Sequence, residues 1–226
     1  MLRSSPPQML LDTLELDGRM VADIGCGTGA IARAMAAAGA RVVGIDVKQS
    51  AIEAARAEPA VNGESFVLAA AEEMPFADRS QDLVVFHNSM HHVAVDGQAT
   101  AIAEAERVLV PGGAIYFSEP IARGPRFELG RLLDDETDVR AHALDAIKGA
   151  AGLGLAEETE FEFIHERGFA DFEAFRVGVV NSDVRRRAFE RHSTELRAGF
   201  DRLAVVREDG CFFDQPIRIN LLHKPS

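Results

Sequence analysis

The sequence predicts a three-layer α/β sandwich built on a mostly parallel, doubly wound sheet, and three observations carry that expectation. From Arg19 to Phe117, short β-branched runs alternate with alanine-rich stretches, the pattern of strands joined by crossover helices. The strand segments are nearly all apolar, as strands covered on both faces must be. The first of them runs straight into a glycine cluster that opens a helix.

Each element follows in order. Met20-Val21-Ala22-Asp23-Ile24 reads as the first strand, and Gly29 to Ala38 as a helix with Ile31, Met35 and Ala38 on one face, stopped by Gly39. Arg41 to Asp46 is the second strand. Ser50, with Glu53 three residues on, has the spacing of a capping box opening a helix from Ala51 to Ala57, ended by Pro59. Ser65 to Leu68 and Asp82 to Phe86 are strands three and four. Thr100 to Leu109 is a helix, and after a Pro111-Gly112-Gly113 turn, Ala114 to Phe117 is strand five. Beyond Pro120 the pattern loosens. Phe127 to Leu133 and the set Val139, Ala143, Ile147 and Ala150 read as helical, and Glu158 to Glu166 alternates as a half-exposed strand. Asp171 to Val180 and Asp183 to Leu203 are expected helices, the latter from Phe189, Leu196 and Leu203 seven apart, and Ile217, Ile219 and Leu221 mark a last strand.

A chain of 226 residues with 47% hydrophobic side chains can close a full core, and we expect one domain over residues 1–226: a site-bearing half at 19–120 and an elaboration at 121–226 that covers the substrate. No apolar run approaches the roughly 20 residues of a bilayer-spanning helix, and Met1 to Pro7 lacks the apolar region of a secretory signal, so no membrane is expected and the cytoplasm is the expected compartment. Cys26 and Cys211 are far apart and join no Cys/His cluster, so neither a disulfide nor a metal is expected. Twenty-four basic against 36 acidic residues give a net charge of -12, which opposes a nucleic-acid partner and favours a small-molecule substrate. The oligomeric state is open.

The sharpest motif is Val21-Ala22-Asp23-Ile24-Gly25-Cys26-Gly27-Thr28-Gly29. Without Cβ atoms its glycines allow positive φ and let a ligand lie against the backbone, while the helix start supplies free N-H donors. Asp46 ends the second strand, where a carboxylate can accept from both hydroxyls of a ribose. A nucleoside is the expected ligand.

With four further segments in order, the chain resembles the class I S-adenosylmethionine-dependent methyltransferases of small-molecule type, over about residues 20 to 120. Those segments are Asp46, Ala71-Glu72-Glu73-Met74-Pro75-Phe76, Asp82 to Val85 followed by His91-His92-Val93, and Glu106 to Gly113. The resemblance implies a Rossmann-like fold with an antiparallel terminal strand and S-adenosylmethionine as cofactor. It implies Gly25, Cys26, Gly27 and Gly29 against the methionine moiety and Asp23 anchoring the loop and the methionine amine. Asp46 and Val47 would take the ribose, Ala71 and Glu72 the adenine, and His87 and Asn88 the floor beside the sulfonium. One departure stands out. Relatives often read Gly-Asp-Ala-Glu where this chain reads Ala69-Ala70-Ala71-Glu72, so the Asp that usually meets the adenine amine is missing. Cys26 between the glycines is small enough to pack and needs no redox role.

Bland readings stand beside the sharp ones. Gly25 to Ala30 also fits the loose dinucleotide pattern, so a nicotinamide-dependent dehydrogenase is the competing enzyme, and a binding module that holds the cofactor without catalysis is the competing non-enzyme. His91, His92 and Glu119 follow strands four and five at the edge where open sheets place their sites and are the catalytic candidates, as general base or its orienting group. A histidine opening a helix also packs locally, and a loop carboxylate is also simply solvated. Arg185-Arg186-Arg187 and Arg191 would steer an anionic substrate or face solvent. Phe172, Phe175, Phe189 and Phe200 would line an apolar pocket or form core.

Overall fold

The computed structural model describes residues Leu2–Ser226. Its eight-stranded sheet has the order β3-β2-β1-β4-β5-β8-β6, with β7 pairing antiparallel to β8. The strands are β1 (Met20–Ile24), β2 (Arg41–Asp46), β3 (Ser65–Leu68), β4 (Gln81–His87), β5 (Leu109–Pro120), β6 (Ala156–Phe169), β7 (Val205–Arg207) and β8 (Gly210–His223). The first five pair in parallel. This is the α/β class the sequence predicts, because near-continuous apolar strands such as β4 are stable only when covered on both faces.

Nine α-helices accompany them among the described residues: α1 (Pro6–Thr13), α2 (Ala30–Ala37), α3 (Gln49–Ala57), α4 (Gln98–Val108), α5 (Pro125–Gly130), α6 (Thr137–Gly149), α7 (Phe172–Val179), α8 (Asp183–Arg191) and α9 (Ser193–Leu203). No helix of the described residues is long and apolar enough to cross a membrane.

Two compact units are distinguishable. The first comprises residues 6–119, 142–161 and 218–226. Its core gathers Ile24, Val84, Phe86, Ile115 and Phe117 from the strands with Ala101, Ile102 and Ala105 of α4, and Phe86 stacks on Phe117 at 5.0 Å. The second comprises the amino-terminal residues up to Ser5 with 120–141 and 162–217. Its core is aromatic. Phe175 meets Phe169, Phe172, Phe189, Phe200 and Phe213 at centroid separations of 5.3 to 6.5 Å. Phe175 and Phe200 are buried and Phe189 nearly so, which settles these aromatics as core.

Several local expectations are revised. The helix foreseen at 183–203 is two, broken at His192, whose φ of -109° and ψ of 21° leave the helical region. Apolar spacing misses the break because Phe189 and Leu196 bury into the same cluster from both helices. The capping box at Ser50 does not form: α3 begins at Gln49 behind Lys48, so Ser50 lies inside its first turn, and Glu53 instead accepts from Gln49. Pro111-Gly112-Gly113 is not a free turn but an irregularity within β5. Gly112 N-H donates to Lys224 O and Lys224 N-H to Gly113 O, both at 2.9 Å. The short α1 and β7 carried no distinct sequence signal.

Candidate functional site

In the first unit the strand order reverses direction between β1 and β4, the switch point where open α/β sheets hold their ligands. The loop leaving β1 there is fixed from below: Gly25 and Cys26 N-H groups both donate to Ile45 O, at 2.8 and 2.9 Å. Gly25, Gly27 and Gly29 all have positive φ, at 71°, 53° and 82°. Their surroundings differ. A Cβ on Gly25 would lie 2.6 Å from Ser89 Cβ, and one on Gly29 would lie 2.5 Å from the Phe66 ring, whereas a Cβ on Gly27 would meet nothing within 4 Å. Two glycines therefore serve close packing and the third faces open space.

Asp46 ties the loop to β2. One carboxylate oxygen accepts from Gly27 N-H at 3.0 Å and the other from Lys48 N-H at 2.8 Å, leaving further lone pairs on each. Val47 beside it is exposed. Cys26 packs as expected: its thiol fills the space above Gly44, where a Cβ would come within 2.9 Å of the sulfur, and burial pushes it up to about 12. Arg33, which carried no sequence signal, braces the loop from behind. It donates to Thr28 O at 2.8 Å and lies 5.3 Å from the Phe66 ring centre.

Asp23 is the electrostatic anomaly. It is almost wholly buried and its Oδ2 has no hydrogen-bond partner. Burial pushes its carboxyl up to about 7, with Asp46 adding to the rise and the Ala32 N-H opposing it. Because the folded value lies above the unfolded one, the stability this group contributes is complete below pH 3.8 and lost as pH rises through 7. At 1.36 kcal/mol per unit, the displacement from 3.8 to about 7 is on the order of 4 kcal/mol. Asp23→Asn, neutral throughout, is expected to unfold later than the wild type above pH 7 and to lose the decline between pH 4 and 7. Thermal unfolding of the ligand-free protein across that range checks it, and parallel pH profiles for the two proteins would refute it.

The second wall comes from the end of β4. Asn88 adopts a φ of 53° and donates its N-H to Ser118 O at 2.8 Å, and His87 is the last residue of β4. The following short 3-10 turn, Met90–His92, is held by Glu119: one carboxylate oxygen accepts from Ser89 N-H at 3.1 Å and Met90 N-H at 2.8 Å, and the other makes a close contact with His91 Nδ1. That carboxylate fixes the Nδ1 proton and the ring orientation. The simple solvated-carboxylate reading of Glu119 therefore fails. His91 is buried, and exposed His92 lies against it with ring centres 4.1 Å apart. Ser89, beside Gly25 with its hydroxyl buried and unpartnered, is a site residue that sequence reasoning missed.

The Ala71–Phe76 segment is positioned by α4. Arg107 donates to Met74 O, Phe76 O and the carboxylates of Glu104 and Asp78, while Glu104 accepts from Met74 N-H at 2.9 Å. This gives Arg107 its structural task, whereas Glu106 before it pairs with Lys224 at 3.0 Å. Ala71 is buried, and Glu72 turns towards the start of α4, where a Cβ on Gly97 would lie 2.6 Å from its Oε1. A carboxylate suits a helix N-terminus. No group of three or more His, Cys, Asp or Glu side chains among the described residues is arranged to hold a metal.

A glycine loop, a strand-end carboxylate and a switch-point location together define a nucleoside-binding α/β protein. Residues 22–117 match the family described as methyltransferase domain. The chain is 37% identical over 106 residues to a ubiquinone biosynthesis O-methyltransferase of Thiobacillus denitrificans, covering 46% of this chain and 45% of that one. It is 37% identical over 108 residues to an uncharacterized methyltransferase of Mycobacterium marinum, covering 48% and 42%. The chain thus spans about half the length of the curated relatives it matches. Among solved structures, a Bacillus halodurans protein described as a candidate methyltransferase superposes with a TM-score of 0.69 at 23% identity, covering 99% of this chain and 100% of the other. The [4+2]-cyclase SpnF superposes at 0.64 and 19% identity, covering 97% and 80%. Residues 22–117 thus match a methyltransferase domain, in keeping with the resemblance their motifs carry.

Proposed function

We propose that the protein transfers a methyl group from S-adenosylmethionine to a small-molecule acceptor in the cytoplasm. The observation that carries this reading is the cradle formed by open Gly27, paired Asp46 and the unpartnered Oδ2 of buried Asp23. It fits the cofactor: Gly27 leaves room for a ligand against the backbone, Asp46 keeps acceptor capacity for ribose hydroxyls, and Asp23 offers a carboxylate to an ammonium group. When bound, the cofactor supplies the electrophilic methyl. Cys26 and Gly29 shape the loop, Val47 flanks the ribose subsite, Ala71 and Glu72 border the adenine, and His87 and Asn88 form the floor.

The chain's own contribution is mainly positioning, which can supply roughly 7 to 11 kcal/mol of a barrier. Where the nucleophile arrives protonated, exposed His92 takes its proton, and Glu119 with His91 holds the turn that carries it. The ubiquinone-pathway name of the curated relatives favours an oxygen nucleophile.

The test is calorimetric titration with S-adenosylmethionine, S-adenosylhomocysteine and NAD, followed by an acceptor screen. Saturable binding of the two sulfur ligands but not NAD is expected, and a preference for NAD would sink the reading. The shared fold of a cyclase favours keeping a second reading, cofactor binding without methyl transfer. Methyl transfer to any screened acceptor excludes it. His92→Ala is then expected to lower kcat about 100-fold while leaving cofactor affinity unchanged.

A further inference from the structure

The second unit holds a cation that the cofactor chemistry does not use. Arg126, in the first turn of α5, is partly buried and has no carboxylate within ion-pair distance among the described residues. Its guanidinium lies 5.9 Å from the ring centre of buried Phe175. Gly130, one turn on, leaves it room: a Cβ there would fall 2.8 Å from Nη1. A cation taken out of water is normally paired, because a ring face compensates only part of the lost hydration.

The neighbours deepen the imbalance. Burial, together with the like charges of Arg167, Arg185 and Arg140, pushes its guanidinium down to about 10 against the attraction of Glu136. Arg140 pairs with Glu136 at 2.5 Å, and Arg185 with Asp134 at 3.0 Å and Glu136 at 3.4 Å. Those two acids balance two of the four arginines. Arg167 is exposed, so Arg126 is the partly buried cation of the group without an ion pair among the described residues. The arginine run singled out in the sequence thus contributes to a cluster only through Arg185.

We propose that Arg126, with Arg167 beside it, receives a doubly charged anionic group, a phosphate monoester or paired carboxylates, on a small molecule. A guanidinium fork matches either group with two parallel hydrogen bonds, and its partial desolvation strengthens them. The site lies within the second unit and stands independently of the methyltransferase reading.

The full chain is titrated with phenyl phosphate, phthalate, inorganic phosphate and neutral benzamide by calorimetry and thermal shift. At least one organic dianion is expected to saturate and benzamide is not, and the better dianion tells phosphate from dicarboxylate. Arg126→Met is expected to weaken that binding about ten- to a hundredfold, the worth of one charge-assisted pair, and Arg126→Lys to retain part of it. Arg187→Gln serves as control, since Arg187 lines a separate cleft of about 360 Å³ with Arg131 and Arg191, and it is expected to bind as the wild type. Thermal unfolding without ligand separates recognition from structure: a receptor cation lacking its anion leaves Arg126→Met at least as stable as the wild type. Should that variant not fold, Arg126→Lys and Arg167→Gln carry the comparison. Absence of saturable binding by any dianion, undiminished binding in the Arg126 variants, or an equal loss in Arg187→Gln would overturn the site.

Discussion

Asp46→Ala is expected to weaken S-adenosylmethionine binding about 100-fold or more. The carboxylate ties the glycine loop to the end of β2, accepting from Gly27 N-H at 3.0 Å and Lys48 N-H at 2.8 Å. Its removal leaves two N-H groups without acceptors and strips the proposed ribose subsite of its charge. Hydrogen bonds to a charged group are worth about 1.5 to 3 kcal/mol each, and losing one such contact to the ligand together with the preorganised loop reaches that factor. The partial exposure of Asp46 limits the cost to the fold itself. Calorimetry on the wild type, Asp46→Ala and Asp46→Asn checks it, with the amide variant intermediate. Affinity within threefold of the wild type in the alanine variant would remove Asp46 from the site.

The glycines give the second large effect, and the two positions should part company. At Gly25 a Cβ would come within 2.6 Å of Ser89 Cβ at a φ of 71°, so Gly25→Ala forces the loop and the turn after β4 apart. It is expected to lose both cofactor binding and several degrees of thermal midpoint. At Gly27 the φ of 53° is one that a side chain adopts at a cost of roughly 1 to 2 kcal/mol, and the Cβ points into open space. Gly27→Ala should therefore fold with a small loss of midpoint yet bind S-adenosylmethionine at least tenfold more weakly, because the methyl occupies the space meant for the ligand. Normal binding in Gly27→Ala would mean that the cofactor does not lie against this part of the loop.

The parallel half was legible because its signals are local. Apolar runs, Gly39 and the glycine loop each act within a few residues, and β1, β2 and β3 appear where those signals put them. Asp46 was legible for the same reason, standing at a strand end at a fixed distance from the loop. What the sequence hid is set by residues far apart in the chain. Glu119 stood out as a catalytic candidate, but a solvated carboxylate stayed open beside it because its partners, Ser89, Met90 and His91, lie about thirty residues away. Arg107 showed only as part of a resemblance until its carbonyl partners at Met74 and Phe76 appeared. Arg126 gave no signal at all, since its distinction is a missing partner, and absence of a neighbour cannot be read from a linear string.

The pairing of Gly112 and Gly113 with Lys224 bears on how the chain folds. The unit that bears the glycine loop begins near residue 6 but includes residues 218–226, whereas the aromatic unit has all its residues by position 217. The sheet that carries the glycine loop is therefore completed by contacts of long sequence separation, the kind whose loop-closure cost slows folding.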